Sequence, residues 1–407
     1  GAYAAAAADA EARGRVPRAL IIPLWPGDSH YTSVYQYYAS LYRIRMINGY
    51  RPFVPQEYIR DVFERWRSLN FGCARDDQLD ALLARGIDHV ILHEDLFPEK
   101  VSPFPVAVTL RNLLNHPRLA LLRQDGPVWA FRILPTPEAR PERGRTWTGM
   151  FPARRFEAER QGMLDVGKSE DDSASAGAYV KLVPGALLRS NPLYTPGLPD
   201  LRWTIRVRGK GILTCDRRVS ETSIGSIEVP VDSAEWTWLD IPAGQLDGAQ
   251  TISFDLAARE GFVDADMAKV VAGYWPAPAE GQTIRLPAPC FFHAGSIDLS
   301  DDSVEFLPDR DRSDLVFYGP KLPLPPGRYT VEFHFTSDAP AGTPLGRWVM
   351  ACPEGQEIGR LDIAAQPPAV LDVVIPSNQP LLGAFLYAGG APIRVQAVAL
   401  TRRGPSP

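Results

Sequence analysis

LRWTIRVRG (residues 201–209) sets Leu201, Trp203, Ile205 and Val207 in alternation with Arg202, Thr204, Arg206 and Arg208. Successive side chains of a strand point to opposite faces, so this period of two predicts a half-buried β-strand. RYTVEFHFT (328–336) repeats the pattern, with Tyr329, Val331, Phe333 and Phe335 against Thr330, Glu332 and His334. Turn signals recur around such segments: PGLPD (196–200), GKG (209–211), PAG (242–244), LPPGR (324–328) and PAGTP (340–344). Short strands punctuated in this way predict antiparallel sandwiches. PGLPDLRWTIRV and PPGRYTVEFHF each place a Pro-Gly turn just before an alternating strand, which points to two of them. The boundary is placed near YWPAPAEGQ (274–282), giving one β-sandwich over 151–278 and a second over 279–403.

Upstream the texture differs. ALIIPLW (19–25) and HVILHE (89–94) are short continuous apolar runs, as strands buried on both faces are. Helical periods separate and follow them. SVYQYYASLYRI (33–44) carries Tyr35, Tyr38 and Tyr42 at helical spacing, a stripe read as core. QEYIRDVFERWRSLN (56–70) places Tyr58, Ile59, Val62, Phe63, Trp66 and Leu69 on one face. DDQLDALLARGID (76–88) has acids in its first turn and Gly86 as a stop, and AVTLRNLLNH (107–116) is a further helix. The strands LALLRQ and VWAFRIL close the series. This order predicts an α/β domain over 17–137 with a partly parallel sheet. Residues 138–150, within the proline-rich and charged PTPEARPERGRTWTGM, read as a linker. Residues 1–16 read as a flexible, helix-forming lead-in with neither the basic region nor the apolar core of a signal peptide. The expected fold class is therefore multidomain: an N-terminal α/β domain followed by two antiparallel β-sandwiches.

The 407 residues carry a net charge of −5 without a run of lysine or arginine, which argues against a nucleic-acid partner. No apolar stretch reaches the roughly 18 residues of a membrane span. Cys73, Cys215, Cys290 and Cys352 show no metal or redox spacing. The sequence leaves a Cys290–Cys352 bridge open, and buried thiols are the reading preferred. Six histidines are scattered without a zinc pattern, and phosphate-binding glycine loops and nucleophile elbows are absent.

Two resemblances add to this reading. ALIIPLWPGDSHYTSVYQYYASLYRIRMINGYRPFVPQEY, LLARGIDHVILHED and VWAFRIL, within residues 17–134, resemble the extracytoplasmic C-terminal region of bacterial multi-span membrane proteins related to lipid-linked-sugar glycosyltransferases. The shared features are a strand ending in a Pro-rich loop, a tyrosine-rich helix, Asn48-Gly49-Tyr50, and a strand ending in His93. The resemblance implies a periplasmic or extracytoplasmic location and a parent anchored by transmembrane helices. It does not carry the transferase's catalytic acid. RRFEAERQG (154–162), SAGAYVKLVPG (175–185), EWTWLDIP (235–242) and GFVDADMAKVVAG (261–273) resemble a galactose-binding-like jelly roll of the carbohydrate-binding-module type. That resemblance implies a structural Ca²⁺ on Glu157, Glu159 and Asp266. SDLVFYGPKLPLPPGRYTVEF (313–333) looks like a second member of the same broad group, without an ion signature.

Candidate sites follow. Asp28, Ser29 and His30 are consecutive and cannot aim three side chains at one point, so they form no triad; Asp28 or Ser29 suits a helix cap. If strands 19–25 and 89–93 are parallel neighbours, their C-terminal ends open on one crevice, with Trp25, Asp28, His30, Tyr31 and His93 as ligand candidates. Trp236 and Trp238 are candidate sugar-stacking platforms, and Arg217 and Arg218, on an expected loop, candidate sugar ligands. No catalytic set emerges. The expected function is a non-catalytic region that binds or positions a glycan or lipid-linked sugar within a membrane-anchored, glycosyltransferase-like protein. Two alternatives stay open: a carbohydrate-active enzyme sited in the crevice, and a scaffold in polysaccharide assembly or secretion.

Overall fold

Residues 2–133 build the α/β unit from α1 (Ala2–Ala12), β1 (Arg18–Ile22), α2 (Tyr31–Leu41), β2 (Arg45–Met46), α3 (Gln56–Tyr58), α4 (Asp76–Ala84), β3 (His89–His93), α5 (Val106–Asn115), β4 (Leu119–Asp125) and β5 (Val128–Ile133). This computed structural model describes residues 1–26, 29–49, 53–144, 147, 156–164, 166–194, 201–244, 251–272, 278–352, 356–375 and 380–405. The sheet order is β2-β1-β3-β5-β4. β1 runs parallel to β2 and β3, with Ala19 opposite His89 and Ile22 opposite Leu92, and β3, β5 and β4 pair antiparallel. The partly parallel sheet expected from the two apolar runs is thus present.

The N-terminal segment is not a flexible lead-in. α1 buries Ala2, Ala6 and Ala10, spaced four apart, and packs on β3, β4 and β5. Alanine allows that close approach, and polar contacts fix it: Asp9 meets His89 Nε2 at 2.8 Å and Arg132 at 3.1 Å, and Arg13 and Arg15 pair with the buried Asp88. The helix predicted over 56–70 is broken: α3 continues as a π-turn (Ile59–Glu64) and a 3₁₀ turn (Arg67–Phe71). Gly72 ends it at φ +72°, where an added Cβ would lie 2.7 Å from Asn112 and 3.0 Å from the Thr109 carbonyl of α5. The linker also packs where it is described. Asn115 exchanges hydrogen bonds with both backbone groups of Arg143, and Trp147 is fully buried.

The first sandwich comprises β6 (Phe156–Glu157), β7 (Gly162–Leu164), β8 (Lys168–Glu170), β9 (Ala178–Leu182), β10 (Leu187–Arg189), β11 (Leu193–Tyr194), β12 (Leu201–Val219), β13 (Thr222–Pro242) and β14 (Thr251–Ala272). β12, β13 and β14 are 19, 21 and 22 residues long, and β12 pairs antiparallel with both of the others. The first part of β14 also pairs with β10 and β11, and the second part with β6 and β9. Long strands therefore serve both layers, bending between them as sandwich corners do. The bend is why GKG is not a turn: it lies inside β12. A Cβ on Gly211 would meet the Glu260 carbonyl at 2.2 Å, and one on Gly261 the Lys210 carbonyl at 2.1 Å.

The second sandwich comprises β15 (Thr283–Pro287), β16 (Phe292–His293), β17 (Ser296–Asp298), β18 (Ser303–Phe306), β19 (Leu315–Pro323), β20 (Gly327–Thr336), β21 (Pro344–Ala351), β22 (Glu357–Ala364), β23 (Ala369–Ile375), β24 (Pro380–Tyr387) and β25 (Ile393–Gly404). One sheet has the order β17-β18-β25-β20-β23 with β15 on β25, and the other β16-β19-β24-β21-β22. Tyr329, Val331, Phe333 and Phe335 are buried as the alternation requires, while His334 is partly exposed beside Glu332 at 3.3 Å. The four cysteines are buried thiols rather than disulfide partners. Among the described residues no helix is long and apolar enough to cross a membrane.

Candidate functional site: a cleft where the three units meet

The parallel pairing of β1 and β3 does bring their C-terminal ends together, but the expected crevice is filled from within. The Tyr3 hydroxyl of α1 lies 2.8 Å from His93 Nε2, and the Tyr3 ring stacks on Tyr38 at 5.3 Å. Tyr35 closes on the His93 ring at 4.8 Å. Burial pushes the His93 pKa down to about 3, so its imidazole stays neutral at physiological pH. Asp95, whose burial raises its pKa to about 6, sits 3.8 Å from His93 Nδ1. Trp25, His30 and Tyr31 form a separate group: Tyr31 stacks on Trp25 at 5.2 Å and on His30 at 4.2 Å. Trp25 is buried, and its indole N–H donates to the Tyr35 hydroxyl at 3.3 Å. The tyrosine thus stands between this group and His93. Asp28 and Tyr50 lie outside the described residues. The helix begins at His30 without a side-chain cap, so Ser29 does not cap it; the Ser29 carbonyl accepts from the Thr32 N–H and hydroxyl.

The acids of the first sandwich do not form a metal cage. Asp266 is fully buried; one oxygen accepts from Arg206 Nη1 at 2.5 Å and the other from the Ser175 N–H at 2.9 Å. Ser175 also donates its hydroxyl to Glu157 at 3.1 Å, and Glu159 pairs with Arg160 at 3.4 Å. Ca²⁺ binds through several oxygens at once. Here both oxygens of Asp266 are already committed, one of them to a guanidinium that itself carries the positive charge. Among the described residues no group of three or more His, Cys, Asp or Glu side chains is placed to hold a metal. In this arrangement Asp266 is held by Arg206 and Ser175 rather than aimed at a shared cation position.

The proposed sugar platforms change in the same way. Trp236 is buried rather than open, with Arg206 and Arg208 over its ring at 5.0 and 4.4 Å, Tyr179 edge-on at 5.8 Å, and its N–H donating to Ser173. Trp238 is half-buried opposite Arg206 on β12. Arg217 and Arg218 lie on β12, not on a loop. Arg217 donates to the Gly225 and Pro242 carbonyls, and Arg218 pairs with Asp216 and Asp255 at 3.4 and 3.5 Å.

An open cavity of about 560 Å³ lies elsewhere, where all three units meet. The α/β unit contributes Arg67 and Phe71 from the 3₁₀ turn that Gly72 ends, and the loop from Glu99 to Pro103. The first sandwich contributes Phe156 and Glu157 of β6, Arg160, Gln161, Asn191 and Tyr194 of β11; the second contributes Lys321 of β19. Each seam is tied by specific contacts. Phe71 stacks on Tyr194 at 5.2 Å, with Arg67 5.7 Å from the same ring. Lys321 reaches both oxygens of Glu99 at 3.3 Å. Gln161 accepts from the Asn191 N–H and donates to the Glu157 carbonyl, which fixes the floor between β6 and β11. Lys100 joins cleft and crevice, its ammonium 5.0 Å from the Trp25 ring. A partly exposed aromatic beside amides and charged groups at a domain junction can hold a polar ligand with apolar faces. Of the sequence candidates only Glu157 lines this cleft, and no local pattern marks the rest.

No protein-family model and no curated protein matches the chain. Among solved structures it is similar to the CBM22 tandem of Xyn10C from Paenibacillus barcinonensis, at 10% identity and TM-score 0.24 over 63% of this chain and 98% of that one. It is similar to a carbohydrate-binding module CBM36 in complex with calcium and xylotriose, at 15% identity and TM-score 0.23 over 29% of this chain and 98% of that one. It is also similar to the cycloalternan-forming enzyme of Listeria monocytogenes in complex with a pentasaccharide, at 14% identity and TM-score 0.24 over 36% of this chain. The chain spans only 13% of that enzyme's length.

Proposed function

We propose that this chain is a glycan-binding region whose site is the cleft between its three units. The observation that carries the reading is the cleft's chemistry. Tyr194 offers an aromatic surface to the apolar face of a sugar, while Gln161, Asn191 and Arg160 supply donors and acceptors for its hydroxyls. Its volume lies in the range of about 300–1,000 Å³ usual for small-ligand sites. The two carboxylates at its wall are engaged, Glu99 with Lys321 and Glu157 with Ser175, which favours binding over acid–base chemistry there. Membrane anchoring and an extracytoplasmic location belong to the same proposal and are supported by the resemblance of residues 17–134; fractionation of cells making the full-length parent tests them. We assign the cationic role in the first sandwich to Arg206 rather than to calcium.

Glycan-array binding of the whole chain tests the reading. Tyr194→Ala is expected to weaken the glycan that binds by about tenfold, the value of one lost aromatic contact of this kind. Because Tyr194 also packs on Phe71, Gln161→Ala is measured beside it, with the Tm of both variants. Glycan binding unchanged in both folded variants would move the site out of the cleft.

A further inference from the structure

We infer that the outer face of α2 docks on an anionic lipid surface, an interaction of this chain that is separate from the cleft. Of the tyrosine stripe expected in the core, only Tyr35 is buried, with Thr32 and Ala39 on the same side of the helix. Val34, Tyr37, Tyr38, Leu41 and Tyr42 follow one another at i, i+3, i+4, i+7 and i+8 and are exposed, Tyr37 to 61% and Leu41 to 57%. α2 therefore carries two apolar faces, one packed on the sheet side and one open. The rings of the open face are contiguous. Tyr37 lies edge-on to Tyr38 at 5.5 Å, and Tyr38 and Tyr42 stack on Tyr3 of α1 at 5.3 and 6.2 Å. A continuous apolar patch turned outward on a folded chain marks a contact surface.

The charges beside this face select its occupant. Between Asp28 and Glu57 the sequence holds no acid but three arginines, Arg43, Arg45 and Arg51. Arg43 and Arg45 follow α2 directly and are exposed, and no carboxylate among the described residues lies within ion-pair reach of either. Arg18, opposite Arg45 on β1, donates to the Arg85 carbonyl and keeps its charge. The acids of neighbouring elements are engaged: Asp9 with His89, Arg13 and Arg132, Asp88 with Arg13 and Arg15, Asp61 with Arg60. Asp95, 3.8 Å from His93, is on the buried side of α2. That sets Arg18, Arg43 and Arg45 against the exposed Glu11 of α1. A second copy meeting this face with its own would bring no acid from α2 to those guanidiniums, because an isologous contact repeats one surface. Lipid phosphates do supply the charge. Tyrosine suits the bilayer boundary, its ring apolar and its hydroxyl wet, and arginine stems run along apolar surface while their heads meet phosphate. α2 would then lie in the interface plane with Val34 and Leu41 towards the acyl chains.

The test is flotation of the whole chain with vesicles of phosphatidylcholine alone and of phosphatidylcholine with about 30% phosphatidylglycerol, at about 50 and about 500 mM salt. At low salt the chain is expected to partition onto the anionic vesicles at least about tenfold more strongly than onto the neutral ones, with the advantage shrinking severalfold at high salt. Tyr37→Ser/Leu41→Ser is expected to weaken partitioning by about tenfold with Tm unchanged, since both side chains face solvent. Arg43→Gln/Arg45→Gln is expected to bring the anionic-to-neutral ratio towards one. Anionic-vesicle binding that survives Tyr37→Ser/Leu41→Ser would overturn the inference by moving the contact off α2. Equal, salt-independent binding to both vesicles would overturn the anionic assignment. Binding to neither would overturn the inference as a whole, and a concentration-dependent dimer that Tyr37→Ser/Leu41→Ser disperses would then give the face to a second copy. None of these outcomes bears on the glycan reading of the cleft.

Discussion

The first sandwich buries Arg206, Asp264, Asp266 and Lys269 among its strands. The second fills the space between its sheets with Phe306, Phe317, Phe333, Trp348 and Phe385, whose rings pack at 5.0 Å for Phe333–Trp348 and 5.2 Å for Phe333–Phe385. Both are antiparallel two-layer folds, so architecture does not dictate what the interior is made of. The charges of the first sandwich hold a loop. Arg206 reaches the Ser173 carbonyl, Arg208 reaches Asp171, and Asp266 receives the Ser175 N–H, which pins residues 171–175 against β12 and β14. An aromatic core gains mainly from area buried and contact made, and such groups fix no loop by themselves.

The sharpest way to break this comparison is Arg206→Met. Removing one partner of a buried pair leaves the other charge uncompensated, and the expected loss is about 3–5 kcal/mol by urea unfolding. Asp266→Leu on top of it is expected to recover much of that loss, because the stranded carboxylate goes with it. A loss below about 1 kcal/mol for Arg206→Met would mean that the buried charges are not what holds the first sandwich.

Where the second sandwich meets the α/β unit, an ionisable group of the α/β unit is buried against it. Glu94 is fully buried there, accepting from the Trp129 indole N–H and the Ile297 N–H, each at 2.7 Å, with His293 3.6 Å away. Burial pushes the Glu94 pKa up to about 8, eased by those two donors, and pushes His293 down to about 4. Both groups are thus neutral near pH 7. The folded chain holds the Glu94 proton where the unfolded chain has released it, so stability falls as pH rises from the usual carboxylate range to about 8 and levels off above. His293 acts in the opposite sense, costing stability only as pH falls below its ordinary value of 6.5 towards about 4. Between pH 6.5 and 8 the Glu94 slope stands alone of the two, at most about 1.4 kcal/mol per pH unit. Glu94→Gln is expected to flatten it, measured by urea unfolding at half-unit steps. An unchanged slope in the variant would place the titration elsewhere.

Particular residues show where the sequence was readable. The alternation of 328–336 and the apolar runs at 19–25 and 89–94 marked strands because burial of one or both faces imposes a local pattern. GKG misled because glycine serves close backbone crossing as well as turning, and only the partner strand distinguishes the two. α1 misled because its small alanines carry no amphipathic signal; the strands it packs on and the partners of Asp9 and Tyr3, His89 and His93, lie some eighty or more residues on. The crevice was legible in its strands and illegible in its plug, Tyr3. The cleft was hidden for the same reason on a larger scale, since Arg67, Lys100, Arg160, Tyr194 and Lys321 come from three units and share no spacing.

The smallest expected effect is the most direct test of how the first sandwich is held. With the Arg206 guanidinium on Asp266, chelation should shift the Tm of the chain by no more than about 1 °C, where loss of a stoichiometric structural ion would cost several degrees. Calcium added in excess should likewise leave the wild-type chain unchanged. The Arg206→Met variant sharpens the point. With the guanidinium gone, Asp266 and Glu157 are left around one vacated positive charge, and calcium there should raise Tm in a dose-dependent way that the wild type does not show. A drop of several degrees on chelating the wild type would mean that an ion is bound beside Arg206, and the contrast between a charge-held and an aromatic-held sandwich would have to be redrawn around that ion.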